Sequence, residues 1–385
     1  MQNVLVEVIL KSAKKNKKEN LKKMHYLEEP KAVQFELSSN CNANCIGCSR
    51  ADPFNELKLN PRIPKNKFLD FDKFVEILHA KRFQSVEEIQ FCASIDDPLM
   101  HPRFLDMLYY IVQHTNFRII IHTNASLRSS SYWQDMAKIL KGTKYTLNFS
   151  VDGLEDTNHI YRRGTNFKKI MENARAFISA GGSPSWQWVV FPWNKHQIEE
   201  AKQLAKSMGF RSFRERNDTS LDNLDLHELS KKFENEKRRH TLSWSEYVHA
   251  LKRFKGNIYC KTANDEKAYF VAHTGEIFPC CFMYNIRYRV VDFEEHWKRY
   301  DNVYGKNWNN VYYHHIDKIL EHSFFKNDLT ESWNNVDHEK LTPCSRNPVC
   351  TNTCSVNNRQ RWEIEHKITM LESGDVEFSK NKFRE

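Results

Sequence analysis

The sequence predicts an α/β chain built on a parallel sheet, and two observations lead there. Short β-rich runs recur at 32–38 (AVQFELS), 87–93 (EEIQFCA), 117–122 (FRIIIH), 145–151 (YTLNFSV), 186–191 (WQWVVF) and 210–216 (FRSFRER). Amphipathic helical segments separate them. Phe167, Ile170, Met171, Ala174, Phe177 and Ile178 share one helical face, and Ile198, Ala201, Leu204, Ala205 and Met208 share another. Strand, crossover helix and strand in succession make parallel pairing. Six such units suit an open doubly wound sheet or a partial barrel, and in both the ligands gather at the carboxyl ends of the strands.

The elements divide the chain as follows. Residues 1–30 read as a basic N-terminal tail, 31–220 as the β/α array and 221–250 as a charged linker. Residues 251–385 read as a small α+β domain. It opens on AYFVA and EIFPCCF around His273-Thr274-Gly275, a β-hairpin with glycine at its turn. Of 385 residues, 40% are apolar, enough for a real core. No apolar run nears the roughly 20 residues of a membrane helix, and the N-terminus lacks the features of a signal peptide. A cytoplasmic location with no membrane partner is expected. Much of the net charge of +9 sits on Lys11, Lys14, Lys15, Lys17, Lys18, Lys22 and Lys23. A solvated tail explains that run better than a nucleic-acid surface does.

Nine of ten cysteines fall in three groups: Cys41, Cys45 and Cys48; Cys260, Cys280 and Cys281; Cys344, Cys350 and Cys354. Without an export signal such grouping points to metal chemistry rather than disulfides. Cys92, alone, reads as a small core residue. The first group, in SSNCNANCIGC, follows the first predicted strand and so lies at the mouth where ligands gather. Three thiolates are one short of a closed zinc site or of a fully ligated four-iron cluster. Either a fourth ligand comes from elsewhere or one metal position stays open.

The spacing Cys41-x-x-x-Cys45-x-x-Cys48 after the first strand of a β/α array resembles the radical S-adenosylmethionine (radical SAM) superfamily. The resemblance runs from about residue 32 to the end of the chain. IQFCASIDDPLMHP (89–102) stands where the family has Gly-Gly-Glu-Pro, with Asp97-Pro98 for Glu-Pro. IHTNASL (121–127) is similar to its Thr-Asn-Gly element, with Ala125 for glycine, and FSVDGLEDTNHIYRRGTNF (149–167) to its Ser-x-Asp-Gly and Arg-Gly segment.

The resemblance implies a partial (β/α)6 TIM-like barrel holding a [4Fe-4S] cluster on Cys41, Cys45 and Cys48, with S-adenosylmethionine chelated to the open iron. It implies Asp97 at the methionine ammonium, Ser150 at the ribose and Arg163 at the carboxylate, with Asn124, Gln187 and Asn194 near the cofactor. Reductive cleavage would give a 5′-deoxyadenosyl radical that takes hydrogen from the substrate, a peptide or a small sugar-like molecule. A flavodoxin or ferredoxin would donate the electron.

Fourteen residues separate Cys260 from Gly275 and four separate Gly275 from Cys280, which resembles the opening of the SPASM and twitch auxiliary-cluster domains. Cys344-x5-Cys350-x3-Cys354 resembles the closing half, but Leu341 replaces its first cysteine and none follows Cys354. The count implies one auxiliary [4Fe-4S] cluster. The preferred set contains Cys260, Cys280 and Cys354, with Cys350 ahead of Cys344, and Cys281 is turned away by strand alternation. A zinc ion is the alternative for these sulfurs. The competing function is a non-catalytic zinc-stabilised module that binds nucleic acid or protein.

Overall fold

Six parallel strands cross one sheet in chain order: β1 (Ala32–Phe35), β2 (Glu88–Phe91), β3 (Arg118–Thr123), β4 (Tyr145–Ser150), β5 (Ser185–Val190) and β6 (Ser212–Asp218). The computed structural model describes residues 26–45, 48–52, 55–91, 94–218, 258–288, 293–333, 349–350, 354, 364–370 and 376–379. The segment expected as a linker lies outside them, as do Cys92 and Cys344. Helices α1 (Phe71–Leu78), α2 (Phe104–His114), α3 (Ser130–Leu140), α4 (Phe167–Ser179) and α5 (Ile198–Met208) connect successive strands. The result is a partial (β/α)6 barrel.

Alternation along the strands sorts the two faces. Ile119, Ile121, Leu147, Phe149, Trp186, Trp188 and Phe213 are buried on the helix side. There they meet the apolar stripes foreseen for α4 and α5, whose Ile170, Ala174, Phe177, Ala201 and Ala205 are buried as well. Removing this apolar surface from water is the main stabilising term. Asp70, Ser129 and Asn166 cap their helices with side-chain oxygens that accept from first-turn N–H groups, and Gly209 (φ +88°) ends α5 in the left-handed region. The opposite, lumen-facing positions are mostly polar: Arg118 and His122, then Thr146, Asn148 and Ser150, then Gln187, then Arg214 and Arg216, with Ile120 and Val189 between them.

The C-terminal hairpin does not stand apart from the array. Strand β7 (Ala268–Val271) pairs in parallel with the free edge of β1, and β8 (Ile277–Phe278) returns antiparallel to β7. Gly275 makes the turn with φ +84°, and an added Cβ would meet the Tyr312 ring at 2.5 Å. At the other edge β9 (Ile364–Met370) pairs antiparallel with β6, and β10 (Val376–Ser379) pairs with β9. One ten-stranded sheet therefore takes in both units that the sequence suggested were separate.

The last part of the expected tail is also core. Tyr26, 4% exposed, packs against Tyr269, Phe325 and Trp333 and donates its hydroxyl to the Pro279 carbonyl at 2.6 Å. Aromatic side chains bury a large apolar surface, which favours this placement of Tyr26. Among the described residues no helix is long and apolar enough to cross a membrane.

Candidate active site

The cysteine loop leaves β1 and is tied down by exchanged carboxylates. Glu36, fully buried, accepts from the N–H groups of Ser94 (2.9 Å) and Ile95 (3.1 Å) in the loop after β2. Asp96 of that loop accepts in return from the N–H groups of Leu37 (3.0 Å) and Ser38 (2.8 Å). The Arg50 guanidinium bridges the same two segments by donating to the carbonyls of Ser39 (2.6 Å) and Ile95 (2.7 Å). Both ends of the three-cysteine stretch are thus anchored to one rigid corner, as a preorganised site requires.

Burial has a consequence for these acids. It raises Glu36 well above the usual carboxylate range, helped by repulsion from Asp96. Burial also pushes Asp96 up to about 8, against the hydrogen bonds from Ser38 and Leu37. A folded state that keeps its protons longer than the unfolded chain loses stability as pH rises between the two pKa values. The denaturant midpoint should therefore fall as pH rises from about 4, where the unfolded carboxyl titrates, to about 8. In Asp96→Asn that slope should flatten, leaving the part due to Glu36. Urea midpoints measured across this range check it, and an unchanged slope refutes the assignment to Asp96.

Within the loop, Cys41 accepts from the Ala43 N–H at 3.4 Å and from the Asn124 amide at 3.7 Å. Cys48 accepts from the Arg50 N–H at 3.5 Å, and the Arg162 guanidinium lies 3.9 Å from the Cys45 sulfur. Burial raises all three thiols, and Arg162 pulls Cys45 back toward the thiolate. Donors and a cation around the sulfurs suit ligation, since thiolate is the form that binds metal. Gly164 (φ +84°) lets the segment after Arg163 reach the loop, for an added Cβ would lie 2.8 Å from the Asn42 carbonyl. The Asn44 N–H there donates to the Arg163 carbonyl at 2.8 Å.

Beside the loop opens a cavity of about 280 Å³ lined by His122, Ser150, Asp152, Arg162, Gln187, Val189 and Arg216. Of the residues foreseen for the cofactor, Ser150 and Gln187 reach it. Three others are placed differently. Arg162 rather than Arg163 lines the cavity, held by the buried Asp152 through Nε at 2.6 Å. Asp97 is spent inside the protein: its carboxylate accepts from Leu99 N–H, Thr123 hydroxyl and Asn124 N–H at 2.9–3.1 Å. Asn194, fully buried, accepts from Phe191 N–H and donates to the Asp152 and Val189 carbonyls. Both brace loops rather than face the cavity.

Asn124 sits between the two groups, donating to Asn42 Oδ1 at 2.8 Å and to Cys41. Ala125, where the resemblance has glycine, takes the glycine-like φ of +59°. Asp152, His122 and Arg216 were not foreseen. Their sequence signal is weak: His122 and Arg216 merely alternate with Ile121 and Glu215.

A second group of thiols meets about Tyr26. Cys260, Cys280, Cys350 and Cys354 line one apolar cavity with Pro279, Met283, Leu329, Trp333 and Val349. Cys354 is pulled down to about 7 by the hydrogen bond from Cys260, whose own thiol that bond raises. These four are the sulfurs the spacing favoured. Cys281 is kept out by another cause than strand alternation, since the strand ends at Phe278 and Cys281 begins the helix Cys281–Asn285. Among the described residues no three His, Cys, Asp or Glu side chains close around a single ion.

Residues 35–205 match the family model described as the radical SAM superfamily. Over 188 residues the chain is 28% identical to the tungsten-containing aldehyde ferredoxin oxidoreductase cofactor-modifying protein of Pyrococcus furiosus, covering 46% of this chain and 49% of that one. The chain thus spans about half the length of the curated relative it matches. Among solved structures, Streptococcus suis SuiB bound to S-adenosylmethionine has a TM-score of 0.45 at 15% identity, covering 67% of this chain and 62% of that one. For native anSMEcpe with bound AdoMet the TM-score is 0.46 at 15% identity, with 76% of this chain and 80% of that one covered.

Proposed function

From the premise that the chain belongs to the radical SAM superfamily through residues 35–205, we propose that it oxidises or otherwise modifies a peptide or small polar substrate with the help of one auxiliary [4Fe-4S] cluster. The observation that carries the proposal is the pairing of two sulfur sites on one sheet: three cysteines after β1 and four beside β8. When bound, the family's [4Fe-4S] cluster and S-adenosylmethionine supply a carbon radical that takes hydrogen from an unreactive C–H bond.

The chain's own residues do the rest. Cys41, Cys45 and Cys48 would hold the first cluster by three corners, and the Arg162 cation would offset the charge of the thiolates. Asn124 fixes the loop through Asn42, and Ser150 and Gln187 present hydrogen-bonding groups to the cavity. Cys260, Cys280, Cys350 and Cys354 would hold the auxiliary cluster behind Tyr26, Met283 and Trp333, which keep water from it. A flavodoxin- or ferredoxin-like donor and a cytoplasmic setting complete the reading, as this chemistry needs a low-potential electron.

Metal and sulfide analysis of anaerobically purified protein tests it. Two cubanes give about eight irons and eight sulfides per chain. About four irons would remove the auxiliary cluster from the proposal. Zinc without sulfide would replace the enzyme by a zinc-stabilised module.

A further inference from the structure

The first five residues of strand β6 (Ser212–Asp218) read Ser212-Phe213-Arg214-Glu215-Arg216, and the sheet divides them unevenly. Glu215, 5% exposed, turns to the helix side and pairs with Lys202 at 2.8 Å. Arg214 and Arg216 lie on the opposite, lumen face, about 7 Å apart along the strand. Between Ser212 and Arg216 the strand thus sends Glu215 outward and both arginines inward.

Register carries the same face across the barrel. Arg214 stands opposite Gln187, Gln187 opposite Ser150, and Arg216 opposite Val189. Among the described residues four arginines reach this lumen, and two are neutralised there. Arg162 is paired with Asp152 at 2.6 Å, and Arg118 with Glu88 at 3.7 Å. Among the side chains that the structure describes, which on this strand end at Arg216, neither Arg214 nor Arg216 has a carboxylate partner. Their charge is felt by the neighbours: burial first, then Arg216 and Arg214, pull His122 down to about 4. His122 is therefore neutral and accepts at Nε2 from the Asn148 amide at 3.2 Å. It adds no carboxylate-like counter-charge.

We propose that Arg214 and Arg216 are a specificity site for an oxyanion, a carboxylate or phosphate group, carried by the substrate. This rests on the reading above that the cavity receives the reactant. Arg216 lines the cavity itself and makes the direct contact, and Arg214 lies behind it. On this reading the cofactor's own carboxylate, expected at Arg163, would lie at the other end, where the neighbouring Arg162 stands 3.9 Å from the Cys45 sulfur. An unpaired guanidinium in a partly dry lumen attracts such a group strongly, because charge-assisted hydrogen bonds strengthen as water is excluded.

Titration calorimetry of the full-length protein tests the site with inorganic phosphate as the probe, and with S-adenosylmethionine in a separate titration. Wild type should bind phosphate at one saturable site. Arg216→Gln and Arg214→Gln should each weaken it about tenfold or more, Arg216→Lys should weaken it less, and Lys206→Gln on the exposed face of α5 should not change it. Affinity for S-adenosylmethionine should fall by less than affinity for phosphate in each arginine variant, because Arg216 shares the cavity with Ser150 and Gln187, and an unchanged far-ultraviolet circular dichroism spectrum reports that each is folded. Absence of saturable phosphate binding, an equal loss in Lys206→Gln, or a matching loss of S-adenosylmethionine affinity overturns the proposal. Wild type that binds phosphate but no S-adenosylmethionine would instead sink the radical SAM reading and leave the arginine site standing.

Discussion

Replacing Cys45 by alanine is expected to abolish production of 5′-deoxyadenosine and to lower iron from about eight to about four atoms per chain. Cys45 is the one buried residue of the three, 8% exposed, and the one faced by the Arg162 cation. With two thiolates left on the loop the open-cornered cluster has no stable seat. The four sulfurs near Tyr26 line a separate cavity and, on the proposed reading, would keep their own iron. Product analysis under reducing, oxygen-free conditions checks the first part and iron determination the second. Wild-type amounts of 5′-deoxyadenosine from this variant would end the assignment of the loop.

The second large effect is expected from Asp152→Asn. The Asp152 carboxylate, 1% exposed, accepts from Arg162 Nε and from the Val189 N–H, both at 2.6 Å. Asparagine keeps the shape and part of the hydrogen bonding but leaves the Arg162 charge uncompensated. Removing one partner of a buried pair costs about 3–5 kcal/mol. Burial lowers the Arg162 pKa, and Asp152 together with Cys45 and Tyr161 more than restores it. Chemical denaturation should show the loss, and S-adenosylmethionine should bind more weakly because Arg162 swings free. A midpoint within a few tenths of a kcal/mol of wild type would mean that Arg162 is hydrated and the pair is ornamental.

The barrel was legible because its physics is local. Phe167, Ile170, Met171, Ala174 and Phe177 can share a face only on a helix, and that helix is α4. The three-cysteine loop was legible from spacing, and the four-sulfur group from Gly275, whose left-handed turn brings Cys280 back toward Cys260. What escaped was contact between distant segments. Nothing in Arg162-Arg163 says which arginine faces inward, since Asp152 makes that choice from ten positions away. Asp97 looked free because its satisfying donors, Thr123 and Asn124, lie at and just past the end of another strand. The extent of the sheet was hidden for a similar reason. Apolar AYFVA fits a small hairpin equally well whether or not β1 offers it an edge.

That edge has a bearing on how the protein comes to be. Until a ribosome has made the chain as far as Val271, Ala32 to Phe35 presents one row of backbone groups with no native partner. A nascent chain in that condition invites mispairing with its neighbours. Synthesis slow enough for helices to form, or a chaperone resting on that flank, would shield it. Iron delivered to the early loop before the late strand arrives would meet a half-built host.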